Sequence, residues 1–201
     1  TCCASACTTG VGVPVRRLTL THAVERLRLA TPFRISGYTF SEGSVALVTL
    51  TDDGLTGRGE ANGVYYFNDD ADSICRTIET QREVIERGIT REELATLLPA
   101  GGARNALDCA LWDLRAKETG VAAWRTAGLS LPRPVTTAFT IGLGSEADVR
   151  RKAREALPYH LLKLKLDADR HIDLVRIVRE EHPTARLIVD ANQAWSRSLL
   201  E

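Results

Sequence analysis

The chain has 201 residues, of which 44% are hydrophobic and 26% charged, with 26 basic and 26 acidic side chains and a formal net charge of zero. That length supports one or two domains with a real core, and the charge balance offers no basic surface for nucleic acid or an anionic membrane. No apolar run is long enough to cross a bilayer, and five cysteines, an odd number of which Cys75 and Cys109 sit in helical patterns, fit reduced thiols of a cytoplasmic protein better than a disulfide framework.

Residues 1–15, TCCASACTTGVGVPV, show neither helical nor strand periodicity and read as a disordered or non-native tail. A β-rich region follows. RRLTLTHAVERLRLA (16–30) and GSVALVTL (43–50) carry alternating apolar and β-branched residues, with TPFRISGYTFSEG (31–43) expected as a loop between them. Asp53-Gly54 then marks a tight hairpin, because glycine accepts positive φ.

Helices come next. DDADSICRTIETQREVIERG (69–88) opens on acids and closes on Gly88. In TREELATLL (90–98), Thr90 and Glu93 stand at capping-box spacing. ARNALDCALWDLRAKETG (103–120) places Ala106, Leu107, Ala110, Leu111 and Leu114 on one stripe, which reads as core.

Beyond Pro132 and Pro134 the pattern changes. Strands are expected over 135–141, 161–166 and 186–192, with helices over 145–157 and 169–182 between them. Regular strand–helix alternation implies parallel strands with crossover helices, in either a doubly wound sheet or a (β/α)8 barrel.

The second of these strands holds the most informative feature. Only four lysines occur among the 26 basic residues, yet Lys163 and Lys165 lie two apart within LLKLKL. In a strand they share one face, and Leu162, Leu164 and Leu166 share the other. The strand is either an edge with one solvated face or an inner strand that aims two lysines where apolar side chains normally sit. Asp190 falls at the carboxyl end of the next strand, where parallel-sheet sites form. A desolvated lysine beside another cation loses proton affinity and becomes able to move protons near neutral pH, which arginine cannot do. A strand-end aspartate suits a hard cation such as Mg²⁺.

In this order, LPAGGARNALDCALWDLRAKETG (98–120), LLKLKLD (161–167) and LIVDANQAW (187–195) resemble the enolase superfamily, within its muconate lactonizing subgroup, and most closely dipeptide epimerases of the L-Ala-D/L-Glu type. The resemblance covers about residues 16–201. It implies an α+β capping domain (16–130) followed by the first three strand–helix units (131–201) of a truncated (β/α)8 TIM-type barrel. It implies Lys165 as the general base at a substrate α-carbon and Lys163 beside it, stabilising an enolate oxygen. Asp190 would be one ligand of a single Mg²⁺, and Asn192 would lie near the site without holding the ion. Phe33, Tyr38, Phe40 and Tyr65 would line a substrate pocket. The reaction implied is a 1,1-proton transfer through an enediolate, on a dipeptide or N-acylated amino acid. Other subgroup activities share the lysine pair: N-acylamino acid racemisation, o-succinylbenzoate synthesis and cycloisomerisation. Where Ala-Glu epimerases carry a basic residue after this Pro-Phe stretch, the chain has Gly37, Tyr38 and Phe40, so acidic and apolar second residues are both open.

A full barrel takes about 250 residues, so the other carboxylate ligands and an opposing lysine are expected outside these 201. The complete enzyme is expected to form a homo-oligomer, and this stretch alone to be inactive. The rival reading is a non-catalytic remnant.

Overall fold

The computed structural model describes residues 16–200, except for the side chains of Tyr65 and Leu200. The tail reading for residues 1–15 therefore lies outside the described residues. The described residues divide into two compact units: residues 16–25 with 44–130, and residues 26–43 with 131–200.

A three-stranded sheet has the order β1-β2-β3, with β1 at Thr19–Ile35, β2 at Tyr38–Asp52 and β3 at Leu55–Asn62; its part outside residues 26–43 belongs to the first unit. The region expected as a loop over 31–43 is instead the far end of a long β1–β2 ribbon. The turn is only two residues, with Gly37 at φ 79°, and Pro32 is tolerated because β1 is an edge strand. At the other end, Asp53 (φ 43°) and Gly54 (φ 78°) form the expected hairpin, pairing Asp52 with Leu55.

Five helices follow: α1 (Ala71–Thr80), α2 (Arg82–Glu86), α3 (Arg91–Leu97), α4 (Gly102–Thr119) and α5 (Ala123–Thr126). The helix expected over 69–88 is broken at Gln81, whose N–H turns back to Ile78 and Glu79. The Thr90–Glu93 capping box forms as its spacing implies. The long helix α4 lays its stripe of Ala106, Ala110 and Leu114 directly on β3. That approach is possible because β3 presents Gly57 and Gly59: a Cβ at Gly59 would land on the Ala106 carbonyl oxygen. The outer edge of β1 is closed by side chains in place of another strand. Glu86 accepts the Leu20 N–H at 3.2 Å, and Arg82 donates to the Leu20 carbonyl at 2.7 Å.

The second unit contains a parallel sheet in the order β4-β5-β6: Phe139–Ile141, Leu161–Lys165 and Arg186–Asp190. The first strand starts at 139, not 135; Val135 is almost fully exposed and has no strand partner. Helices α6 (Glu146–Glu155) and α7 (His171–Glu181) cover one face, with a short α8 (Arg197–Leu200) after β6. Val149, Ala153, Leu174 and Val178 from the helices meet Ile141, Leu162, Leu164 and Leu166 from the sheet. Burying that face fixes which way β5 points its other side chains.

Two outcomes follow for the first unit. Gly59→Ala should lower its stability by about 3 kcal/mol or more, read from the urea midpoint, because the helix backbone it meets cannot give way. Glu79 takes hydrogen bonds from Arg82 (2.7 Å) and His22 (2.8 Å), and its carboxyl is held down to about 2 from an ordinary 4.5, chiefly by Arg82. A depressed carboxyl stabilises the fold above its ordinary value and loses that contribution as pH falls toward 2. Carboxyl NMR should therefore show Glu79 titrating well below an ordinary glutamate, and Arg82→Ala should move it back toward its ordinary value.

Candidate active site

The alternation in β5 resolves as its leucines require. With Leu162 and Leu164 buried against the helices, Lys163 and Lys165 emerge on the opposite face. Strand β5 is the middle strand, so the edge-strand reading falls away. Parallel register then sets Lys165 beside Asp190 and Lys163 beside Ile188 and Thr140. The Leu166 N–H closes the ladder on the Asp190 carbonyl at 3.0 Å.

One carboxylate oxygen receives both lysines. Asp190 Oδ2 lies 2.7 Å from Lys163 Nζ and 2.8 Å from Lys165 Nζ. The other oxygen, Oδ1, accepts the backbone N–H of Asn192 at 3.0 Å. The two ammonium groups, Lys163 first, hold the Asp190 carboxyl well below the usual carboxylate range. Lys165 is the more enclosed lysine, its side chain 12% exposed against 36% for Lys163. The turn after β6 is unusual: Asn192 (φ 46°) and Gln193 (φ 67°) are both left-handed. Asn192 Oδ1 is buried without a hydrogen-bond partner, an oxygen acceptor lacking a donor.

The structure thus gathers Lys163, Lys165, Asp190 and Asn192. Phe33 lies elsewhere along the same strand ends. Its ring packs on Gly142, just past β4, where an added Cβ would meet it at 3.3 Å, and the Leu143 N–H donates to the Arg34 carbonyl at 3.0 Å. Tyr38 and Phe40 stack with centroids 6.2 Å apart. The Tyr65 side chain lies outside the described residues. Sequence reasoning missed Gly142 and Trp195, whose indole Nε1 donates to the Asp167 carbonyl at 2.8 Å. Gly142 carried no local signal beyond being a glycine after a strand.

For a hard cation, Asp190 supplies one oxygen ligand in a suitable place at a strand end. Among the described residues no group of three or more His, Cys, Asp or Glu converges. A carboxylate oxygen is the donor type that Mg²⁺ prefers.

An antiparallel-sheet unit with packed helices, followed in the chain by parallel strands bearing Lys-x-Lys and a strand-end Asp, defines an enolase-type protein. Residues 17–128 match the mandelate racemase / muconate lactonizing enzyme N-terminal domain, and the chain belongs to that family. It is 38% identical over 169 residues to the L-Ala-D/L-Glu epimerase of Escherichia coli (strain K12), a match covering 83% of this chain and 53% of that enzyme. The crystal structure of an enolase family member from Agrobacterium tumefaciens with homology to dipeptide epimerases, with bound sodium and L-Ala-L-Glu, is similar with a TM-score of 0.84 at 35% identity, over 90% of this chain and 56% of that one. A Methylococcus capsulatus dipeptide epimerase complexed with Mg and L-Arg-D-Lys gives a TM-score of 0.83 at 28% identity, over 92% and 56%. The chain spans about half the length of these relatives.

The shared oxygen makes a stability prediction. Asp190→Asn strands two ammonium groups, one of them enclosed, and should cost about 1–3 kcal/mol in urea unfolding, the value for a buried pair discounted for partial exposure. Lys163→Met, which leaves the Lys165–Asp190 pair intact, should cost less than about 1 kcal/mol.

Proposed function

We propose that these residues form the front part of a dipeptide epimerase: a cap over 16–130 and, from 131, the first three strand–helix units of a (β/α)8 barrel. The observation that carries this reading is the pair of ammonium groups converging on Asp190 Oδ2 at the carboxyl ends of parallel strands. The E. coli and M. capsulatus relatives support the reaction class.

In this reading Lys165, as its neutral amine, takes the α-proton from one face of the substrate and becomes an ammonium. Its enclosure keeps competing water away from the transferred proton. Lys163, more exposed and two residues earlier, sets positive charge beside the carboxylate oxygen that gains electron density. Asp190 would hold Mg²⁺, which when bound supplies Lewis-acid charge at the substrate carboxylate. Asn192 steadies Asp190 through its backbone N–H. Phe33, Tyr38 and Phe40, which belong to the same unit as the lysines, would line the substrate pocket. The opposing lysine that returns the proton, and the remaining carboxylate ligands, come from outside these 201 residues. The complete enzyme is read as a cytoplasmic homo-oligomer; no helix of the described residues is long and apolar enough to cross a membrane.

The test is α-proton exchange in D₂O, followed by NMR, with L-Ala-L-Glu and L-Ala-L-Leu as substrates. The longest form of the protein that its gene encodes should exchange at least one of them in the presence of Mg²⁺. Lys165→Met should reduce the rate by about 10³-fold. Full exchange by Lys165→Met would remove Lys165 as the base, and equal exchange by residues 1–201 alone would show that the site needs nothing further.

A further inference from the structure

The loop after β6 turns a side chain back toward the strand that carries the lysines. Trp195 Nε1 donates to the Asp167 carbonyl at 2.8 Å, two residues past Lys165. Its ring meets His171 edge-to-face with centroids 5.3 Å apart, and it packs against the cluster containing Ile141, Leu164 and Leu166. Asp167 is itself an organised turn. Its Oδ1 accepts the N–H groups of Asp169 (3.2 Å) and Arg170 (2.9 Å), and α7 begins at His171. Trp195 therefore grips this turn twice, by a carbonyl at its start and by a ring at its end.

The position matters because the β5–β6 ladder stops here. Its last rung is the Leu166 N–H to the Asp190 carbonyl, immediately after the Lys165–Asp190 pair. Terminal rungs fray first unless something beyond them is pinned. The loop that carries Asp190 onward supplies that pin from Trp195.

We propose that Trp195 is a positioning residue, whose indole N–H, acting through the Asp167 carbonyl, fixes the end of β5 and so the place of the Lys165 ammonium against Asp190. Its consequence for catalysis rests on Lys165 being the base; its structural part does not.

Trp195→Phe separates the hydrogen bond from the packing, since it keeps an aromatic ring and loses the N–H. In the 201-residue chain, amide hydrogen exchange at Leu166 should quicken by about tenfold, the loss of one buried hydrogen bond. Leu162 and Leu164, deeper in the strand, should change by less than about twofold. Uniform quickening across the unit would reduce Trp195 to a packing residue, and an unchanged Leu166 would overturn the proposal outright. In a form that exchanges substrate α-protons, the same variant should lower kcat about tenfold and leave KM within about twofold; unchanged kcat would also overturn it. Absence of exchange by the unsubstituted protein would sink the epimerase reading, while the amide result would still decide the role of Trp195.

Discussion

Asp190 Oδ2 is the point on which the second unit turns. Two like charges at positions i and i+2 of one strand face repel each other, and one of them, Lys165, is largely drawn out of bulk water. They are held together by one anion, within 2.8 Å of each. That arrangement needs three conditions at once. The leucines of β5 must be anchored on the helices, so the strand cannot rotate. The parallel register must bring Lys165 level with Asp190. The carboxylate must be turned so that one oxygen faces the lysines, and the Asn192 N–H does this by holding the other.

The residue type follows from the same geometry. Arginines dominate the chain's basic residues and form many of its surface ion pairs, such as Arg82 with Glu79 and Glu86, or Arg150 with Glu146, Glu180 and Glu181. A guanidinium is a wide planar fork that prefers both oxygens of a carboxylate, so two of them two residues apart would not converge on a single oxygen. An ammonium is a compact point charge, and two fit. Lys163 and Lys165 stand where two charges must meet one oxygen.

How far this was legible in the sequence depends on range. Leucine–lysine alternation gave the two faces of β5, because a period of two is a local property. The Thr90–Glu93 box, the Asp53-Gly54 turn and the α4 stripe were legible for the same reason. The 31–43 segment was misread as a loop: Pro32 and Gly37 are loop residues in isolation, and only the pairing of β1 with β2 makes them an edge and a turn. The start of β4 was set four residues early, since Val135 looks like a strand residue until its partner strand proves too short to reach it. Trp195 and Asp167 are 28 residues apart, and no local pattern announces a side chain bonded to a distant carbonyl. The unpartnered Asn192 oxygen is equally invisible without coordinates.

The two flanks of the site differ in a way that bears on its chemistry. Strand β5 has a neighbour on each side, and its leucines are buried. Strand β6 is the outer strand of the described sheet, and both Ile188 and Val189, which point to opposite faces, remain nearly half exposed. A parallel strand apolar on both faces is one that stable folds cover on both. Asp190 ends that strand, so the carboxylate already fixed by two lysines and one backbone N–H lies beside the uncovered flank. The helix-covered face of the sheet is a finished core, whereas the lysine face has one acid for two bases. This asymmetry within one small sheet supports the proposal that the lysine face belongs to a larger site.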